Sequence, residues 1–436
     1  MLAPGTITAR ASEWPTVSAV ASIVGRIQVV CGMPASKPNV LWIVTTQWRA
    51  QSCGYAGDLN VQTPMLDKLA AESVNYAQAV TPHPFGPFAR AALLTGKPSP
   101  ENGVVDYYDP LPQGARTIAH DMAEQGYRTA YFGKWHLAPK DREAALVGEE
   151  HAKTIVPENQ RGGFDFWEGF EGGFQINHPW LHGTVLPQPT QYEGYQSAVL
   201  SERAGDWLTD EGVTCSPWFA VVSMEAPHPP YAADANGVMA RDPGKLELRG
   251  NVPLGGEIEA RSRRELAGYG AHIEATDRAI GDLLERLPMD DTIVVFTSVH
   301  GDMHGSQGLF RKGWPYDESV RVPLLVRYPQ FASRCVTNPV SLLDLSTMTR
   351  AWARGEEWEN NGEYATISMP SIVALPDQGD CRWRGIRGER YKLVLRDEDT
   401  PWLLFDLQTD PAEQRNLIDD PNSGDLRGRL MSRLRD

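Results

Sequence analysis

The chain has 436 residues, 41% of them hydrophobic and 22% charged, which is the make-up of an ordinary globular protein with room for one large α/β domain and a smaller one. A net charge of −15 excludes the basic face that non-specific nucleic-acid binding requires, but leaves room for a local basic pocket that takes a small anion. The five cysteines (Cys31, Cys53, Cys215, Cys335, Cys381) are scattered, with no C-x-x-C spacing; they signal neither a disulfide framework nor a zinc site and read as buried thiols in a reducing, cytoplasmic setting.

Residues 17–33, VSAVASIVGRIQVVCGM, are moderately apolar but are interrupted by Arg26. They make a poor signal peptide and are too short for a membrane span. Residues 1–37 therefore read as a poorly ordered N-terminal extension, and no membrane association is expected. After Pro38, the run NVLWIVTTQWR predicts a buried parallel strand with Thr46 and Gln47 at its end. The next stretch, TPMLDKLAAESVNYAQAVT, spaces Met65, Leu66, Leu69 and Val74 as a packing helix followed by a short strand. Asp67 suits the N-terminal end of that helix.

PHPFGPFARAALLTG follows, with Pro82, Pro84 and Pro87 leading into an alanine-rich helix and Arg90 within its first turns. Free N–H groups, the helix dipole and an arginine together make an anion site. TIAHDMAEQGYRTAYFGKWHLAP reads as helix, turn at Gly126, strand, and a loop carrying Lys134 and His136. Residues 138–215 crowd glycine and aromatics into GGFDFWEGFEGGF, followed by prolines, His178 and His182. They predict a long irregular insert that shapes a pocket rim.

SPWFAVVSMEAPHPPY is a second buried strand, which places His228 at the C-terminal edge of the sheet, where open α/β sheets bind ligands. YGAHIEATDRAIGDLLERL carries an apolar stripe (Ile273, Ile280, Leu283, Leu284, Leu287) and reads as core. DTIVVFTSVHGDMHGSQGLFRKGWPYDESVRVPLLVRYP opens with a further buried strand, which ends at Val299 and His300, and continues to Lys312. Beyond Pro329, SLLDLSTMTRAWA predicts a helix and GIRGERYKLVLRDEDTPWLLFDLQTDPAEQRNL a hairpin.

The segments ARAALLTG, GKWHL, APHPP, SVHGD and RKG, with the D-P-x-E-x-x-N-L ending, resemble the sulfatases of the alkaline-phosphatase superfamily. That resemblance runs from about residue 38 to the end. It implies an α/β fold, a large mostly parallel sheet between helices with a small C-terminal antiparallel subdomain. The implied division is a sulfatase-like domain at 38–330, including the insert at 138–215, and a C-terminal α+β subdomain at 331–436. Arg90 falls on the family's arginine; Lys134, His136, His228, His300 and Lys312 fall on its other cationic positions. By the resemblance, Lys134 and His136 contact the sulfate or phosphate group and its leaving oxygen, and Lys312 reaches the anion.

Four family positions carry other residues. Gly86 stands where the family has the cysteine oxidised to the nucleophilic formylglycine. Thr46 and Gln47 stand at its two metal-binding aspartates, and Val299 at a third; Asp302 lies past that ligand pair. Neutral hydroxyl and amide groups are weak ligands for a hard cation, so neither a cofactor nor a divalent cation is expected. The leading expectation is a protein that does not hydrolyse sulfate esters by the usual route. It would bind an anion bearing sulfate, phosphate or carboxylate in a pocket of unbalanced positive charge, with a second copy or a complete relative as a further partner. In that pocket, burial and like charge should depress the histidine and lysine pKa values. A second reading is a metal-independent hydrolase or lyase with His136, His228 or Lys134 as acid or base. A third is an atypical sulfuric or phosphoric ester hydrolase with a transition metal on His300 and His304 and a hydroxyl nucleophile such as Thr81 or Thr46.

Overall fold

Seven residues from Asn39 to Thr45 are apolar almost without break because the strand they form is covered on both faces. In the computed structural model, which describes residues 37–360 and 362–435, this is strand β1 (Asn39–Thr45). The expected N-terminal extension, residues 1–37, lies outside the described residues apart from Lys37. The other strands, in chain order, are β2 (Val74–Tyr76), β3 (Ala79–Val80), β4 (Arg128–Lys134), β5 (Phe166–Phe170), β6 (Trp180–Gly183), β7 (Thr190–Gln191) and β8 (Trp218–Ser223). They continue with β9 (Thr292–Ser298), β10 (Leu324–Arg327), β11 (Arg334–Val336), β12 (Val340–Ser341), β13 (Tyr364–Met369), β14 (Trp383–Gly388), β15 (Tyr391–Arg396) and β16 (Pro401–Asp406).

Ten of these form one sheet in the order β11-β2-β10-β9-β1-β8-β4-β5-β6-β7. The middle of it, from β9 through β1, β8 and β4 to β5, is parallel throughout, and the outer strands add antiparallel pairs. Side chains alternate along β1, so Trp42 enters one core and Leu41 and Ile43 the other. Helices Gly86–Thr95, Ile118–Glu124 and Asp344–Ala353 cover the Trp42 face. Helices Gln196–Leu208 and Glu257–Leu284 cover the opposite face. The apolar stripe expected from Ile273 to Leu287 falls on the second half of the latter helix, which is 28 residues long and ends at Leu284, with Leu287 just past it in the same core.

Several expectations change. The insert at 138–215 is irregular only in part: it supplies β5, β6 and β7 to the large sheet and the helix Gln196–Leu208 to its face. Gly162, Gly163 and Gly173 turn the chain at positive φ, but Gly169 serves close strand contact. At Gly169 of β5 a Cβ would overlap the carbonyl oxygen of Gly133 on β4. Part of the stretch expected in the C-terminal subdomain also lies with the large sheet. β11 pairs with β2, and Thr349 of helix Asp344–Ala353 accepts a hydrogen bond from the Trp42 indole at 3.1 Å. The antiparallel sheet β13-β14-β15-β16 follows as expected, and the terminal helix Gly424–Arg435, which the sequence reading did not single out, closes the chain's described part. Cys53 is buried, whereas Cys215 and Cys335 are exposed, against the reading of uniformly buried thiols.

Candidate anion-binding site

Four adjacent parallel strands end on the same edge of the sheet, and each delivers residues of the site. β1 is followed by Thr46 and Gln47, β4 ends in Lys134 and leads to His136, β8 leads to Glu225 and His228, and β9 leads to Val299 and His300. The loop ahead of helix Gly86–Thr95 and the loop carrying Lys312 are tied together, because Gly313 N–H donates to Pro84 O at 3.0 Å. Every cationic position singled out from the sequence is thereby brought to one place. None of Arg90, Lys134, His136, His228, His300 and Lys312 is more than 7% exposed, so the site is closed.

Gly86 is the first residue of its helix, and Pro87 follows it in the first turn. A Cβ on Gly86 would lie 2.8 Å from His136 Nδ1 and 3.1 Å from Cε1. The imidazole thus fills the space that a side chain at position 86 would enter. His136 holds this place with a left-handed backbone, φ +61°. Its Nε2 lies 3.4 Å from Tyr107 Oη, and Nδ1 is buried with no hydrogen-bond partner.

Arg90 is turned onto the protein. Its guanidinium donates to Lys134 O at 2.9 Å, Ser223 Oγ at 2.6 Å and Thr46 Oγ1 at 2.8 Å, which leaves Nε without a partner. Thr46 in turn gives its proton to Met224 O at 2.9 Å. The Thr81 hydroxyl is engaged with His83 O at 3.1 Å. Neither hydroxyl faces a base that could activate it, against the third reading of the sequence.

Gln47 bridges two charges. Its Oε1 accepts from Lys312 Nζ at 2.7 Å, while Nε2 donates to Tyr231 Oη at 3.1 Å and to Asp302. Asp302 also accepts from Tyr231 Oη at 2.6 Å and from the N–H groups of His304 and Arg311 at 3.0 Å each. Burial works against ionising this carboxylate, but His304, Arg311 and these donors hold it below the usual range. On the other side, His228 Nδ1 lies 2.9 Å from Pro229 O, and Nε2 lies 3.0 Å from Lys312 Nζ. A neutral imidazole with its proton on Nδ1 and its lone pair toward the lysine satisfies both contacts.

The pocket is not one of unbalanced positive charge. Lys134 Nζ donates to Glu225 Oε1 at 2.8 Å, and Glu225 is wholly buried. The sequence reading missed this carboxylate, although it stands in the quoted SMEAPHPP, three residues before His228. It also missed Tyr107, for which the sequence carries no signal. The expected depression of basic groups does hold. Burial first, and then the neighbouring lysines, push His136, His228 and His300 well below the usual histidine range. Burial lowers Lys134, with Glu225 opposing. Burial and then Lys134 bring Lys312 down to about 7.

Thr46, Gln47, Val299 and His300, which the resemblance sets at metal positions, do not fit a hard divalent cation. Thr46 and Gln47 have their oxygens engaged by Arg90 and Lys312, and Val299 is packed into the hydrophobic core. His300 turns Nδ1 to Gly301 O at 2.9 Å, which leaves Nε2 as the one neutral donor without a partner among the four residues. His304 lies elsewhere, between the rings of Tyr231 and Tyr269. Among the described residues no three His, Cys, Asp or Glu side chains group as metal ligands.

Residues 38–354 match the Sulfatase family model, and residues 374–436 match the C-terminal model of N-sulphoglucosamine sulphohydrolase. The ulvan-active sulfatase of Formosa agariphila is 35% identical over 428 residues, spanning 92% of this chain and 80% of that protein. The crystal structure of the yidJ protein of Bacteroides fragilis superposes with a TM-score of 0.79 at 25% identity, covering 91% of this chain and 94% of that one. A protein crystallised with its substrate D-glucosamine-2-N,6-O-disulfate shares the fold, with a TM-score of 0.74 at 21% identity over 92% of this chain and 97% of that one. By sequence and fold together, the chain belongs to the sulfatase family.

Proposed function

We propose that this sulfatase-family protein binds a small anionic molecule, bearing sulfate, phosphate or carboxylate, at the closed sheet edge and does not hydrolyse sulfate esters by the formylglycine route. The observation that carries this reading is the imidazole of His136 standing where a side chain at position 86 would project. A glycine supplies no nucleophile there, and the donors at positions 46, 47 and 299 supply no cation grip.

Support for a bound anion comes from the polar atoms left over. His136 Nδ1 and Arg90 Nε are buried without partners, and buried polar groups in folded proteins are nearly always satisfied by protein, water or ligand. Lys134 and Lys312 stand beside them as charge-assisted donors. A dianion adds charge against Glu225 and Asp302, so the net attraction is smaller than the count of lysines and arginines suggests. This favours one sulfate-like group over a polyanion.

A second reading keeps catalysis without metal. His228 presents its lone pair to Lys312 at 3.0 Å, and a neutral imidazole beside a low-pKa lysine is an acid–base pair. A panel of aryl sulfate and aryl phosphate esters, run over a range of pH beside calorimetric titration with sulfate, phosphate and acetate, separates the two. Binding without turnover is the expected result. Turnover abolished by His228→Ala would displace it in favour of the second reading. The expected cytoplasmic location remains part of this proposal; among the described residues no helix is long and apolar enough to cross a membrane.

A further inference from the structure

Phe174 belongs to no strand or helix and lies in the stretch that reads from sequence as a pocket rim. Its backbone is left-handed, φ +53°, directly after Gly173 at φ +95°. A bulky residue in that region is strained, and such strain gathers at ligand sites. The turn aims the ring at the anion site. It stacks on the His228 imidazole with centroids 4.6 Å apart and planes 5° apart, and its face lies 4.7 Å from Lys134 Nζ. Phe174 is half-buried, while Lys134 beneath it is 1% exposed. The ring therefore stands between the ammonium and solvent, where an incoming anionic oxygen would sit.

Resting on the anion-binding reading above, we propose that Phe174 is the specificity residue of the site. Its ring covers Lys134 and His228 when no ligand is bound, and an anion reaching Lys134 displaces it. The displaced ring then offers its face to whatever carries the anion. A bare inorganic ion forfeits the stacking and the cation–π contact and regains nothing. A sulfate ester on an aromatic ring, or on a sugar with an apolar C–H face, restores a partner for the phenyl group. The difference corresponds to a preference of about tenfold for the ring-borne anion.

The test is calorimetric titration of the full chain with inorganic sulfate and with phenyl sulfate, in wild type, Phe174→Ala, Phe174→Leu and Phe174→Trp. Wild type should favour phenyl sulfate by about tenfold. Phe174→Ala should remove the preference mainly by tightening inorganic sulfate, and Phe174→Leu, which keeps bulk without a π face, should also remove it. Phe174→Trp should restore it, which a merely structural role would not do. An unchanged ratio in Phe174→Ala and Phe174→Leu, with both ligands still bound, overturns the role of Phe174 and leaves the anion site standing. Failure of every variant and of wild type to bind either sulfate overturns both.

Discussion

At the scale of single residues, the site is a set of mutual replacements. Gly86 and His136 share one volume, so Gly86→Ala should cost about 1–3 kcal/mol by overpacking. Much of that should return in Gly86→Ala with His136→Ala, and urea denaturation of the four proteins in the cycle measures the coupling. Additive losses would show that the imidazole does not occupy the space of the missing side chain. The same collision means that Gly86→Cys alone should not turn this chain into an aryl sulfatase. Lys134 depends on Glu225 for its counter-charge. Glu225→Gln should destabilise the free protein by about 3–5 kcal/mol, as removing one partner of a buried pair does. Sulfate should then raise the melting temperature of the variant more than that of wild type, since it replaces the lost negative charge. Lys312, brought down to about 7 from an ordinary 10.5, sets a pH dependence. Below about 7 the folded site carries the ammonium an anion needs; above it the amine is neutral, so sulfate binding should weaken as pH rises. Between about 7 and 10.5 the unfolded chain holds a proton that the folded chain has released. On this group's account the stability of the free protein therefore climbs with pH across that window. Calorimetry across that range checks the binding trend, and Lys312→Met should flatten it.

At the scale of elements, four parallel strands must lie close enough for their ends to meet. Gly133 of β4, one residue before Lys134, sits at φ +93°, and a Cβ there would overlap the carbonyl oxygen of Ser223 at the end of β8. Gly133→Ala should therefore force β4 from β8 and cost at least the 1–3 kcal/mol typical of overpacking. It should also weaken sulfate binding, because Lys134 and Arg90 are placed from this junction; stability lost with affinity unchanged would contradict that. The junction also shows why some features are legible in sequence and others are not. Apolar runs such as NVLWIVT and WFAVVS announce strands buried on both faces, and polar residues just past their ends announce the site. GGFDFWEGF misleads in part: Gly162 and Gly163 do turn the chain, whereas Gly169 is there to let β5 approach β4. Which groups would pair across the site was equally hidden. Glu225 meets Lys134 over a separation of 91 residues, and Gln47 meets Lys312 over 265. No local pattern encodes such distances, so a charge count along the chain overstated the positive field.

At the scale of the whole molecule, the C-terminal subdomain completes the site even though it contributes none of the cationic groups. Lys392 of β15 is wholly buried and donates to Asp317 Oδ1 at 2.6 Å and Glu413 Oε1 at 2.5 Å, while Arg387 of β14 reaches Asp317 Oδ2 at 2.9 Å. Asp317 opens the short helix Asp317–Val320. Within it, Ser319 O accepts from the N–H of Gly301, next to His300, at 2.9 Å. Above this network, Trp383 Nε1 donates to Gly313 O at 2.8 Å, and Gly379 N–H donates to Lys312 O at 2.9 Å. The small sheet thus clamps both the His300 turn and the Lys312 loop from outside. Lys392→Met keeps most of the side-chain volume but leaves the buried Glu413 carboxylate without its counter-charge, while Asp317 keeps Arg387, and should cost about 3–5 kcal/mol. Replacing Lys392 and Glu413 together with apolar residues of similar size should cost less than that single change, since it removes the uncompensated charge and leaves the Asp317–Arg387 pair in place. Urea denaturation orders the two variants. Sulfate titration of whichever remains folded distinguishes a clamp from a spectator: a clamp loses affinity when the network is cut. Unaltered affinity would mean that the Lys312 loop holds its position through the large domain alone.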